Sequence, residues 1–176
     1  IVFITVLNAA PIANADTYPT IPSVPISGGT VFVNDSDPNN DPYTMTVITQ
    51  PTNGILTMNL ATGTFLYNPN GTSAISDFFI YEICDNQIPP LCDTAIVWIR
   101  INQPPQGIDH FDTTSVNVAI SNSAPQENLL FGVTDPNGDN VFVVPVVNAT
   151  TDLGGTISID SLGNYTYTPP FNVTNA

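Results

Sequence analysis

The 176-residue chain has no lysine, one arginine (Arg100) and one histidine (His110). Against that single base stand 15 acidic side chains, and the net charge is −14. A surface of this sign repels phosphate backbones and anionic lipid headgroups, so neither nucleic acid nor membrane is expected as a partner. Without lysine there is no Schiff-base chemistry. His110, in the polar stretch IDHFD, has no second ligand for a metal and no motif supporting a Ser–His–Asp triad. It reads as an exposed loop histidine, and the chain reads as no enzyme. Glutamate is scarce as well: Glu82 and Glu127 stand beside 13 aspartates, which suit turns and oxygen-ligand metal sites better than helices. No apolar run approaches the ~18 residues of a membrane span. There is no starting methionine and no basic leader; the chain begins inside a strand-like run, IVFITVL, and stops at FNVTNA, which reads as a window from a longer sequence.

Apolar residues make up 42% of the chain and sit in short alternating runs, the pattern of half-buried strands. The sequence also repeats. IVFITVLNAAP matches AIVWIRINQPP at an offset of 94, DPNND at Asp37 matches DPNGD at Asp135 at 98, and GTFLYNP at Gly63 matches GNYTYTP at Gly163 at 100. The unit is close to the ~100 residues of an immunoglobulin-like sandwich. Residues 1–7 are expected to be the last strand of a preceding repeat, 8–101 the first repeat, and 102–176 a second repeat cut before its last two strands. Turn signals (DPNNDP, PTNG, ATG, NPNG) divide repeat 1 into seven strands near 14–18, 29–34, 43–49, 54–59, 63–68, 77–84 and 92–101. The expected fold is all-β: tandem immunoglobulin-like (cadherin-like) antiparallel β-sandwiches.

The order NxxP, DxDPNxD, PxxG, GTFxYNP, DxFxYxICD, CDTAxVxIxI resembles the tandem cadherin-like or immunoglobulin-like repeats of giant bacterial surface adhesins. The Cys-Asp and Cys-Asp-Thr-Ala elements are most similar to those of Bacteroidetes, including the mobile adhesins of gliding. The resemblance implies a non-catalytic stalk or spacer of an extracellular adhesin or surface filament, displayed at the cell surface through type 9 secretion. Its implied partners are neighbouring repeats, other surface proteins, copies of itself or surface polysaccharide. Such repeats often carry Asn-Asp at the junction, where this chain has Asn8-Ala9 and Asn102-Gln103. Two other readings stand beside it: an accessory or carbohydrate-binding sandwich of a secreted enzyme, and a fibre subunit completed by strand exchange.

Four groups of residues are candidates for function. Cys84 and Cys92 flank DNQIPPL at the ends of two adjacent strands, where a disulfide is geometrically feasible; the alternatives are free thiols or a reactive pair. In such a sandwich the acidic loops lie at one end, so calcium is a candidate cofactor, held by Asp16, Asp35, Asp37, Asp41 and Asp85 in repeat 1. The corresponding acids of repeat 2 are Asp109, Asp112, Asp135 and Asp139. The competing reading is a turn sequence that needs no metal. Sequons begin at Asn34, Asn70, Asn148, Asn164 and Asn172. Asp-Thr and Asp-Ser pairs resemble Bacteroidetes O-glycosylation sites, which would place sugar on Thr94, Thr113 or Ser161. Finally, a period of two turns Phe79, Tyr81 and Ile83 inward with Ala95, Val97, Ile99 and Ile101. It leaves Phe78, Ile80, Ile96 and Trp98 on the outer face. Phe3 aligns with Trp98, and Phe142 and Val144 are expected to project in repeat 2. This face is expected to pack against another repeat or a partner chain; a one-residue slip of register would instead bury it.

Overall fold

The structure, a computed structural model, describes residues 1–3, 7–122 and 124–171. The chain divides into two compact units, Ile1–Gln103 and Pro104–Ala176. Unit 1 contains β1 (Asp16–Thr20), β2 (Ile26–Thr30), β3 (Tyr43–Thr49), β4 (Ile55–Asn59), β5 (Thr64–Asn68), β6 (Ser76–Asp85) and β7 (Cys92–Ile101). They form two sheets, ordered β1-β7-β6-β3 and β2-β5-β4.

Alternation explains the core. Phe79, Tyr81 and Ile83 of β6 and Ala95, Val97, Ile99 and Ile101 of β7 are all buried. They meet Met45 of β3, Val31, and Phe65 and Tyr67 of β5. Phe65 stands edge-on to Phe79 at 5.5 Å and to Tyr18 at 4.9 Å, the arrangement that ring quadrupoles favour. Asp77 is a buried acid at the other end of the sandwich. Its carboxylate accepts the N–H groups of Thr52 (3.0 Å) and Asn53 (2.8 Å) and the Tyr67 hydroxyl (2.8 Å), so one side chain fixes the β3–β4 turn to the core. Gly54 follows in that turn because a Cβ there would stand 2.5 Å from the Tyr67 ring.

Three expectations are corrected. β1 pairs with β7 in parallel, Asp16 opposite Val97 through Thr20 opposite Ile101, so the seven strands are not all antiparallel. The segment before β1 is tied to Asp93 at the start of β7, and a strand leaving that point must run in the direction of β7. The strand expected at 29–34 ends at Thr30, whose hydroxyl accepts the Phe32 N–H and turns Val31–Val33 into one 3-10 turn. The first strand begins at Asp16 rather than residue 14, because the Asn14 N–H is taken by Asp35.

Unit 2 contains β8 (Ile120–Ser121), β9 (Val146–Thr150), β10 (Thr156–Ile159) and β11 (Tyr165–Thr168), in one sheet ordered β8-β11-β10-β9. Tyr167 lies over Gly155 as Tyr67 lies over Gly54: an added Cβ would meet its hydroxyl at 2.6 Å. Phe142 and Val144 are exposed, but residues 141–145 belong to no strand, so they do not project from a sheet as expected. At the start of the chain Ile1–Phe3 and Leu7 are exposed and in no strand; residues 4–6 of the expected strand lie outside the described residues.

Candidate functional site

The acidic motif folds as a turn. Asp37 Oδ1 accepts the N–H groups of Asn39 (2.7 Å) and Asp41 (3.1 Å), and Asn40 takes the left-handed conformation at φ 61°. In unit 2 Asp135 Oδ1 accepts Asn137 N–H (2.7 Å) and Asp139 N–H (3.3 Å), with Gly138 at φ 78°. Asparagine and glycine are the residues that tolerate this backbone region.

Around the turn of unit 1, polar side chains clamp the lead-in segment 7–15 to the end of the sandwich. Asn8 Nδ2 donates to Asp85 Oδ2 at 2.7 Å and Ala9 N–H to Asn39 Oδ1 at 2.7 Å. Ile12 exchanges two backbone hydrogen bonds with Ser36. Ala13 N–H donates to Asp93 Oδ2 at 2.9 Å and Asn14 N–H to Asp35 Oδ1 at 2.8 Å. Asp85 also accepts Gln87 N–H and Leu91 N–H, holding the β6–β7 loop. Unit 2 repeats the backbone part of this device, with Gln106 bridged to Thr134.

Asp16 and Asp35 approach each other beneath the clamp. Burial, then the Asp35 charge, push the Asp16 carboxyl up to about 6, against a hydrogen bond from Asn34. Burial also raises Asp35, although Asn14 N–H and the Tyr81 hydroxyl donate to it. The Tyr81 hydroxyl is held well above its usual range by burial and by Asp35. In unit 2 the Tyr165 hydroxyl donates to Asp112 at 2.5 Å and is pushed up to about 12 by that bond. His110 is half-buried rather than exposed, with its Nε2 enclosed and without a hydrogen-bond partner.

Among the described residues, the acids expected to hold calcium are not gathered into one group of metal-capable side chains. Among the described residues the one group of three metal-capable side chains within 4.8 Å is Glu82, Cys84 and Cys92, and the two sulfurs are bonded to each other. Asp35 and Asp85 spend both oxygens on backbone and side-chain donors, and Asp37 spends Oδ1 on two backbone N–H groups. Asp16 Oδ2 and Asp37 Oδ2 stay buried without hydrogen-bond partners. Asp41 lends its N–H to the turn.

Cys84 and Cys92 stand directly opposite in the β6–β7 register and form a disulfide. On the outer face of the same strands Phe78 faces Trp98 and Ile80 faces Ile96. The aromatic rings lie 5.5 Å apart, with Phe78 36% and Trp98 44% exposed. Phe3 and Phe142 are exposed and lie in no strand. Thr94, Thr113 and Ser161 are exposed, as are Asn34, Asn70, Asn148 and Asn164 of the sequons; Asn172 lies outside the described residues. Sequence reasoning missed Asp77, Asp93 and the asparagines of the clamp. The legible signal was the match of Asn8 with Asn102, which served there only as a landmark of the repeat.

Residues 8–100 match the family model described as Bacterial Ig domain. Among curated proteins no sequence matches. Human protocadherin-24 EC1-2 is similar in structure, with a TM-score of 0.50 at 15% identity, covering 97% of this chain and 83% of that one. Human CDH23 EC21-23 aligns with a TM-score of 0.44 at 15% identity, over 95% of this chain and 56% of that one. A nucleoside hydrolase-related protein from Saccharophagus degradans aligns with a TM-score of 0.41 at 15% identity; 53% of this chain spans 26% of its length. At 15% identity the likeness to protocadherin-24 is one of fold alone.

Proposed function

The chain belongs to the bacterial Ig domain family, and from that premise we propose that it is a force-bearing, non-catalytic spacer in an extracellular adhesin or surface filament. The observation that carries this reading is the parallel pairing of β1 with β7. The chain enters β1 at Asp16 and leaves β7 at Ile101, so these points lie at opposite ends of one five-residue ladder. Tension along the chain then loads all the ladder hydrogen bonds together, in shear, instead of opening them one by one. The clamp of residues 7–15 protects the same ladder from peeling at its start. The disulfide supports an oxidising compartment outside the cytoplasm.

The Cys-Asp and Cys-Asp-Thr-Ala elements support the narrower reading of a Bacteroidetes-type adhesin repeat, secreted by the type 9 route and used in attachment or gliding. Antibodies raised against the folded chain should label intact cells of the source organism. Labelling seen only after permeabilisation would contradict surface display.

A further inference from the structure

The outer face of β6 and β7 differs in charge from the rest of the chain. Arg100, the only lysine or arginine, stands at one end of it and Glu82 at the other. Between them Trp98, the only tryptophan, faces Phe78, and Ile96 faces Ile80. The other acids of the two strands, Asp77, Asp85 and Asp93, fall on the inward count of a period of two. One base and one acid leave this face with no net charge, in a chain of −14. The strip runs from Thr94, opposite Glu82, to Arg100, about 20 Å of strand. Thr17 beside Trp98, Ser76 beside Arg100, and Thr46 and Thr94 beside Glu82 are exposed and border it with hydroxyl groups.

We propose that this face binds a neutral polysaccharide, its sugar rings laid on Trp98 and Phe78, its hydroxyls donating to Glu82 and accepting from Arg100. Charge and area select that occupant. The acids elsewhere in the chain repel a polyanion, and Arg100 opposes a cationic ligand on the strip itself; an uncharged ligand meets neither barrier. Towards such a ligand Glu82 is a hydroxyl acceptor rather than a source of repulsion, and ionised partners make the stronger hydrogen bonds. Exposed at 44% and 36%, the two rings offer roughly 120–200 Å². The isoleucines beside them are half-buried. That patch is small beside the ~800 Å² per partner of a stable protein interface. A second copy of the chain is disfavoured on that count and by its like charge. A sugar ring matches the patch: its C–H face meets the negative face of an aromatic ring, and its rim of hydroxyls meets the bordering ones. The two rings are already held 5.5 Å apart on paired ten-residue strands, so binding costs little ordering. The inference goes beyond the spacer reading and does not depend on it.

Affinity electrophoresis of the whole chain tests this, with laminarin, hydroxyethyl cellulose and galactomannan as neutral glycans and alginate as the polyanion. The expected result is retardation by at least one neutral glycan, none by alginate, and no weakening on adding salt. Trp98→Ala and Phe78→Ala should each weaken binding about tenfold or more. Because Trp98 is the only tryptophan, its emission reports on this face directly. The retarding glycan should shift that emission to the blue with saturation. Phe78→Ala keeps the tryptophan and should need about ten times more glycan for the same shift, which separates lost binding from lost fold. No retardation and no emission change with any of the three overturns the proposal, as does equal retardation of parent and both variants. Retardation by alginate alone would overturn it by assigning a charged ligand. A concentration-dependent dimer abolished by Trp98→Ala, without glycan binding, would overturn it by assigning the face to a second copy.

Discussion

Asp16 and Asp77 are both carboxylates within unit 1, and their surroundings give them opposite effects. Asp77 is met by donors: Thr52 N–H, Asn53 N–H and the Tyr67 hydroxyl all converge on it. Asp77→Ala would leave the buried Tyr67 hydroxyl and the part-buried Thr52 and Asn53 N–H groups without their acceptor, each costing up to about 1–3 kcal/mol. The urea midpoint should fall by the equivalent of about 3 kcal/mol with the slope unchanged; a loss below about 1 kcal/mol would show that water replaces the carboxylate there. Asp16 instead is met by burial and by the Asp35 charge, and titrates at about 6 against an ordinary 3.8. A raised folded-state value means that the folded protein holds the proton more tightly than the unfolded chain. The stability it gives is full below pH 3.8 and is lost as pH rises through about 6. Asp16→Asn should therefore raise the melting temperature at pH 7 and flatten its decline between pH 4 and 6. Parallel curves for parent and variant would refute the assignment. Neither role was legible beforehand, since NADTY and SDFF show which residues are acidic but not which groups the fold brings to them.

At the scale of elements, β6 and β7 dominate unit 1, and they were the most legible. Ten residues each, with strict alternation, they announce both their length and their buried side: every residue from Phe79 to Ile83 and from Ala95 to Ile101 that the period turns inward is buried. The pairing of β1 was not legible, because local alternation carries no information on strand direction. The 3-10 turn at Val31–Val33 was hidden for a related reason: VFV has strand chemistry, and its backbone is set by the Thr30 hydroxyl. The disulfide closes the β6–β7 loop across eight positions. On the loop-entropy account, a closure of that length stabilises by about 2.5 kcal/mol. The double variant Cys84→Ser, Cys92→Ser should lose about that much in denaturant unfolding, since Asp85 still holds Gln87 N–H and Leu91 N–H. Failure of the double variant to fold would mean that the loop, not the sheet pairing, organises β6 and β7.

For the whole molecule, each unit repeats a few local solutions: an aspartate-capped DPNxD turn, a backbone bridge from the lead-in segment to the residue before that turn's aspartate, and a tyrosine laid over a glycine. Those solutions brace the ends of each unit, and in unit 1 the pairing of β1 with β7 lays the chain's path along one parallel ladder. The account stands on that ladder carrying load, and single-molecule stretching between residue 8 and residue 103 tests it most directly. The expected trace is one cooperative rupture at a defined peak force, with a length gain that grows by about 20–25 Å once the disulfide is reduced. Substituting Pro for Thr17 or Tyr18 in β1 should lower the peak. Gradual extension without a peak, or a peak unaffected by those prolines, would show that the β1–β7 ladder does not bear the load.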